Sequence, residues 1–392
     1  MKPKIYLAYI FSLFTFIASA QEKKTPNFVL KGTFIGKHAQ AIFLTYKDEN
    51  GKKIEHKANI KNGIFSFRGF IANPVYGVVT SDIKMFPNDP VVSNAVEIFL
   101  SSGNLTLSLQ ENDFEHAVLT GSPIQDEWIN LLSIYKPINK IKDSLYSVTT
   151  GISRTDKTPK NDSIITSVAA KIDECNFQID QINFHYISFH PQSYLSAYLL
   201  NNFIGGGMRL DSIEMLYNNF PQSVKKSIEG KEINKVIISR KSSAVGSVVE
   251  MPQGTNLDGS RFDPQKFEIN NYLLLYFWAG YANDNADLKA IYNKYQAQGL
   301  RTIAISMEPF KKMWRNSVKR DQIGMWHNIF SGLSADLDTF YNIRQMAPSL
   351  VLLVDKNYTI IGRYRGQNKF YKMDYSEEPI GELDKKLAKL IN

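Results

Sequence analysis

The chain has 392 residues, 43% of them apolar and 21% charged, with a formal net charge of +8 and a single cysteine. That length exceeds one ordinary domain, and the composition is that of folded globular protein, which excludes wholesale disorder and a polytopic membrane protein. Lys and Arg are scattered without a block of like charges, so the positive excess reads as a basic surface and not as a nucleic-acid footprint.

At the N-terminus, Lys2 and Lys4 precede an apolar run from Ile5 to Ile17 and then Ala18-Ser19-Ala20, the small-x-small pattern that signal peptidase accepts. Residues 1–20 are expected to be a signal peptide cleaved near Ala20, which removes two lysines and leaves the mature side chains near +6. The run is shorter than the about 20 apolar residues of a spanning helix, and no cysteine follows it to carry a lipid. The mature chain is therefore expected in the periplasm with no stable membrane span; an uncleaved anchor is the alternative.

Residues 27–120 alternate apolar and polar positions, as in FVLKGTFIG and GIFSFRGFI, with Asn50-Gly51 and Asn62-Gly63 steps suited to tight hairpins. An antiparallel β-sandwich or barrel is expected there. Over 121–234 the period becomes helical, in DEWINLLSIY, in the long run from Ser163 to Phe189, in PQSYLSAYLLNNF and in DSIEMLYNNF. Cys175 falls in the long run among Ile165, Val168, Ile172, Ile179 and Ile182 at three- and four-residue steps, which makes it a small core residue. Gly205-Gly206-Gly207 has no Gly-Lys-Ser/Thr after it and reads as a turn between helices. From about residue 235, strands (YLLLYFW, LRTIAISM, SLVLLVD, TIIGRYRG) alternate with helices over Asn285 to Gln296, around MWRNSV, and near Ile380 to Ile391. This is an α/β pattern.

Within that last region, YLLLYFWAGYANDN, GLRTIAISMEP, the aromatic patch at WRNSV and MWHN, and YNIRQMAPSLVLLVDKNYTIIGRYRG together resemble the TlpA/ResA-like branch of exported thioredoxin-fold proteins, within the peroxiredoxin-related superfamily. The β-rich segment ending in LTGSPIQDEW resembles the uncharacterised N-terminal domain found ahead of such thioredoxin domains. The expected fold class is thus α+β and multidomain: the β-sandwich or barrel, the helical middle, and a C-terminal α/β thioredoxin-like domain over 240–392.

The resemblance implies cysteines at positions 282 and 285, at the start of a helix whose orphan N–H groups and dipole stabilise a thiolate. This chain has Ala282-Asn283-Asp284-Asn285 instead. Thiol–disulfide exchange needs both sulfurs, and peroxide reduction by these folds also starts at a thiolate, so no catalytic residue is expected. Asn283 or Asp284 can cap the helix, Asp284 with Asp287 resembling a capping box, and Leu288, Ile291, Tyr292 and Tyr295 form its buried stripe. By resemblance Pro348 is a cis-proline facing this turn, and Trp278, Tyr281, Ala347 and Pro348 would line a polypeptide groove, with Trp314 and Trp326 beside it.

No two of the six histidines stand at metal-ligand spacing, there is no Cys/His cluster, and no Gly-x-Ser-x-Gly elbow occurs. No metal or cofactor is expected. Three readings follow: a non-catalytic binding protein of the cell envelope with a protein or peptide partner; a thiol–disulfide or peroxiredoxin-type oxidoreductase by family; or an envelope ligand-binding or structural protein acting through the β-domain.

Overall fold

The computed structural model describes residues 24–82, 94–152, 158–204, 208–280, 284–332, 349–366 and 378–391. The signal-peptide expectation and the triple glycine lie outside them. Chain contacts divide the protein into two units, residues 1–48 with 53–122, and residues 123–392 with 49–52.

In the first unit, strand alternation sets which side chains turn inward. β1 (Phe28–Ile35) buries Phe28, Leu30 and Phe34 and exposes Lys31, Thr33 and Ile35. With β2 (Ala41–Lys47), β3 (Lys53–Asn59), β4 (Ile64–Gly69), β5 (Val75–Ser81), β6 (Ala95–Leu100), β7 (Gly103–Gln110) and β8 (Val118–Thr120) it makes two four-stranded sheets, ordered β4-β1-β7-β8 and β3-β2-β5-β6. The two sheets meet through aromatic side chains: Phe28 of β1 lies edge-on to Tyr46 of β2 with centroids 6.0 Å apart. Asn62 and Gly63 both take positive φ, 51° and 71°, in the tight turn that leads into β4. One feature departs from the antiparallel expectation, because β1 pairs with β7 in parallel, in register from Phe28 with Gly103 to Ile35 with Gln110. A parallel pair needs a long crossover, and the chain supplies it by running through β2 to β6 in between.

Among the described residues the second unit begins with six helices, α1 (Pro123–Thr150), α2 (Pro159–Phe189), α3 (Tyr194–Phe203), α4 (Leu210–Asn218), α5 (Gln222–Lys225) and α6 (Ile228–Ser242). α2 starts inside the polar RTDKTPKND stretch, where the Thr158 hydroxyl accepts from the Asn161 N–H at 3.2 Å and Pro159 takes the first helical position. α6 runs past residue 234, where the sequence reading ended the helical segment, because Ile233 and Ile237 continue its buried face. α1 and α2 pair through polar as well as apolar groups: Lys142 Nζ donates to Asn176 Oδ1 at 2.7 Å, Tyr186 Oη donates to Glu127 Oε2 at 2.6 Å, and Tyr135 donates to Asn183. Cys175 is buried in α2, as expected of a core residue.

A seven-stranded mixed sheet follows. Its strands are β9 (Thr255–Asn256), β10 (Tyr272–Trp278), β11 (Leu300–Ser306), β12 (His327–Phe330), β13 (Leu350–Asp355), β14 (Ile360–Arg365) and β15 (Glu378–Pro379), in the order β15-β14-β13-β10-β11-β12-β9. β10 runs parallel to β11 and antiparallel to β13, so it is central and buried on both faces. Its alternate residues feed two cores. Leu274, Tyr276 and Trp278 pack with Leu288 and Ile291 of α7 (Asn285–Tyr295), Trp314 and Val318 of α8 (Lys311–Arg320), and Leu383 and Leu387 of α9 (Gly381–Ile391). Leu273, Leu275 and Phe277 pack on the other face with Ile303, Ile305, Val249 and Phe262. Among the described residues no helix is long and apolar enough to cross a membrane.

Candidate functional site

The site lies where β10 ends and α7 begins, with the ends of β11, α8 and β13 around it. Tyr281, Ala282, Asn283, Ala347 and Pro348 lie outside the described residues; Trp278, Asp284 and Asn285 lie within them. Trp278, expected on a groove, is only 1% exposed: its ring stacks on Tyr276 in the core shared with α7 and α8. Trp314 and Trp326 are buried in the same core. The reason is the period of two along β10, which sends positions 274, 276 and 278 to the helix-covered face together.

After Trp278 the backbone is held from two sides. The Gly280 N–H donates to Glu308 Oε1 at 2.6 Å, and the Gly280 carbonyl accepts from Arg320 Nη2 at 2.6 Å. A Cβ at position 280 would stand 2.2 Å from Glu308 Oε1 and 2.6 Å from Ser317 Oγ, so any larger residue would have to displace these side chains. Glu308 is 5% exposed and also lies 3.5 Å from the Ser317 hydroxyl, which donates to it.

Asp284 precedes α7 with φ −85° and ψ −4°, a helical backbone and not the extended one of a side-chain cap, and its carboxylate caps no N–H. The expected capping box with Asp287 is therefore absent. The Asp284 carboxylate instead accepts a hydrogen bond from Ser349, the residue before β13. Burial raises the Asp284 pKa, the Ser349 hydrogen bond opposes that shift, and the Asp287 charge adds to it. Close by, the Tyr276 phenol is pushed up by burial first and by the Asp284 charge second.

Asn285 is 7% exposed, and its Nδ2 donates to Asp321 Oδ2 at 2.9 Å while Oδ1 is buried with no partner among the described residues. Asp321 also accepts from its neighbour Arg320, Nε to Oδ1 at 2.6 Å and Nη2 to Oδ2 at 2.8 Å, and its carbonyl accepts from Lys289 Nζ at 2.9 Å. The start of α7 is thus tied to the end of α8 by an amide, a carboxylate and a guanidinium. Such groups accept or donate protons and hydrogen bonds; none cycles between oxidised and reduced forms.

Sequence reasoning singled out positions 284 and 285 and passed over Glu308, Arg320, Asp321 and Ser349, which surround them. The available signals were small: Glu308 closes an otherwise apolar strand at GLRTIAISMEP, and Ser349 opens SLVLLVD. It also passed over Asp113, Glu115 and His116 in the first unit. Their ligand-type atoms lie within 4.8 Å of one another, and His116 Nδ1 stands 2.5 Å from Asp113 Oδ1 across a short 3-10 turn.

Residues 28–128 match the family described as a domain of unknown function, DUF4369. Among solved structures, the chain is similar to the thioredoxin domain of a thiol-disulfide oxidoreductase from Bacteroides vulgatus, at 21% identity and TM-score 0.30 over 38% of this chain and 99% of that one. A thiol-disulfide oxidoreductase from Bacteroides fragilis is similar at 22% identity and TM-score 0.29, over 38% of this chain and 99% of that one. A thiol:disulfide interchange protein from a Bacteroides species is similar at 20% identity and TM-score 0.30, over 38% and 92%. No curated protein matches the chain.

Proposed function

We propose that this chain is an exported, redox-inactive protein with a thioredoxin-like C-terminal domain, which acts in the periplasm by binding a protein or peptide partner. The observation that carries the redox-inactive part is the distribution of sulfur: Ala282 and Asn285 occupy the two thiol positions implied by the resemblance, and Cys175, the one cysteine, is buried in α2. Export rests on the N-terminal charge, apolar run and Ala18-Ser19-Ala20 pattern.

The test is turnover. The mature chain is expected to reduce neither insulin disulfides nor hydrogen peroxide above the rate of a blank. Activity that disappears in Cys175→Ser would overturn the reading and return the protein to the oxidoreductases.

Burial of Trp278, Trp314 and Trp326 favours a second reading for where the partner binds, since three aromatic side chains expected at the groove lie in the core. In that reading the β-rich unit carries the binding and the C-terminal domain is scaffold. Capture of envelope proteins by the mature chain, beside an Ala347→Arg version, separates the two: a partner lost on substitution places the contact at the groove, and unchanged capture places it on the β-rich unit.

A further inference from the structure

Away from the degenerate site, a cavity of about 370 Å³ opens in the second unit between the last turn of α6, Ala244 and Val245, the β14–β15 edge of the sheet, and α9. Among the described residues, Arg240, Arg363 and Lys386 supply three cations to its lining, against the single carboxylate of Glu378. The two guanidiniums are positioned by backbone carbonyls: Arg240 Nη1 and Nη2 donate to Met208 O at 2.6 Å and Ile204 O at 3.1 Å, and Arg363 Nη1 donates to Ser243 O at 2.6 Å. Lys386 and Glu378 line the same space, and neither makes an ion pair among the described residues. Glu382, one turn before Lys386, is taken up by Lys385 at 2.8 Å.

Tyr364 is the second feature. It is 1% exposed, it lines the cavity, and its hydroxyl makes no hydrogen bond among the described residues. Its ring folds back over Gly362, where a Cβ would stand 2.7 Å from the phenolic oxygen. Burial pushes the phenol up to about 12, with the Glu378 and Glu382 charges adding to the shift, so it remains a protonated donor. Because Tyr364 lines the cavity, its hydroxyl is placed to donate to an acceptor bound there.

We propose that this cavity binds a small oxyanion, a carboxylate- or phosphate-bearing molecule, whose oxygens accept from Lys386 Nζ and the Tyr364 hydroxyl in the field of Arg240 and Arg363. Ammonium and guanidinium donors form their strongest hydrogen bonds with such oxygens. Glu378 limits the negative charge that the site accepts. The site is independent of the thiol-free centre, and its failure would leave the proposed function untouched.

Titration calorimetry of the mature chain at constant ionic strength, with inorganic phosphate and separately with citrate, tests the assignment. Saturable one-to-one binding of either probe is expected, and which probe binds more tightly separates the two sources of oxyanion. Lys386→Gln and Tyr364→Phe should each weaken binding about tenfold, the effect of losing one charge-assisted hydrogen bond. Tyr364→Phe keeps the ring and its packing, and an unchanged circular dichroism melt in the absence of probe confirms the fold. Absence of saturable binding by both probes, or binding that both folded variants retain at full strength, overturns the proposal.

Discussion

Replacing Ser349 by alanine isolates the bond that fastens the start of α7 to β13. Ser349 and Asp284 share a hydrogen bond, and Ser349 is 5% exposed, so water cannot readily replace the lost hydroxyl. A hydrogen bond to a charged group contributes about 1.5–3 kcal/mol, so Ser349→Ala should cost about 2 kcal/mol at pH 8, where Asp284 is ionised. All four tryptophans, Trp128, Trp278, Trp314 and Trp326, belong to the second unit, so urea unfolding followed by tryptophan fluorescence reports on that unit alone. The pH dependence carries a sign. Burial raises the folded-state pKa of Asp284 above its ordinary 3.8, so the folded protein holds that proton more tightly than the unfolded chain. The contribution of Asp284 to stability is therefore fully present below 3.8 and is lost as pH rises through the folded value. Ser349→Ala removes the larger of the hydrogen bonds that favour the charged form, so the loss should extend to higher pH. Below 3.8 the bond joins neutral groups, and the cost of the substitution should fall to about 1 kcal/mol. In an Asp284→Asn background the cost should be the same at both pH values. A cost below about 0.5 kcal/mol at pH 8, or one that does not change with pH in the parent chain, would refute the reasoning.

Asp180, on α2, has its pKa raised to about 6 by burial, with Lys142 of α1 pulling the other way. Its stabilising contribution is likewise lost as pH rises from 3.8 through about 6, so Asp180→Asn should raise stability at pH 8 and leave it unchanged below pH 3.8. Because the group is about half exposed, the expected gain is only about 1 kcal/mol, read from paired urea curves at the two pH values. Gly280→Ala drives a methyl into Glu308 and Ser317 and should cost about 1–3 kcal/mol in the same assay, whereas Gly324→Ala, with open space around its Cβ and no positive φ, should cost less. Ala282→Cys with Asn285→Cys should yield a disulfide, visible as a gel-mobility shift on reduction; a folded double variant whose thiols never pair would count against aligning these positions with a Cys-x-x-C pair.

Where local spacing decides the structure, the sequence was readable. The Asn62-Gly63 turn needs two residues tolerant of positive φ and has them, and the Leu288, Ile291 and Tyr295 stripe of α7 follows from the helical period. Where a long-range partner decides it, the sequence was silent. YLLLYFW is apolar at every position, so it announces a buried strand without saying which face Trp278 takes; the helices packed against that face settle it. Asp284 and Asp287 have the spacing of a capping box, yet Ser349, 65 residues away along the chain, takes the carboxylate. The parallel β1–β7 pair was invisible for the same reason, since hairpin signals describe neighbours in sequence only.

The electrostatics of the site add to the case against thiol chemistry. A reactive cysteine at a helix start is favoured by nearby positive charge and open N–H groups. Here position 285 is bonded to the Asp321 carboxylate, Asp284 is buried one residue earlier, and Arg320 is committed to Asp321 and to the Gly280 carbonyl. A thiol introduced at 285 would meet a carboxylate already paired with a cation, beside a buried acid whose own charge is disfavoured. Both neighbours oppose a thiolate. The double-cysteine variant is therefore expected to close a disulfide under oxidising conditions and to attack substrate disulfides slowly. Adding Asp284→Asn, which removes the nearest buried negative charge while keeping an oxygen for Ser349, should lower the thiol pKa and speed insulin reduction. If it does not, the surrounding acids have no part in setting the reactivity of a thiol introduced at 285.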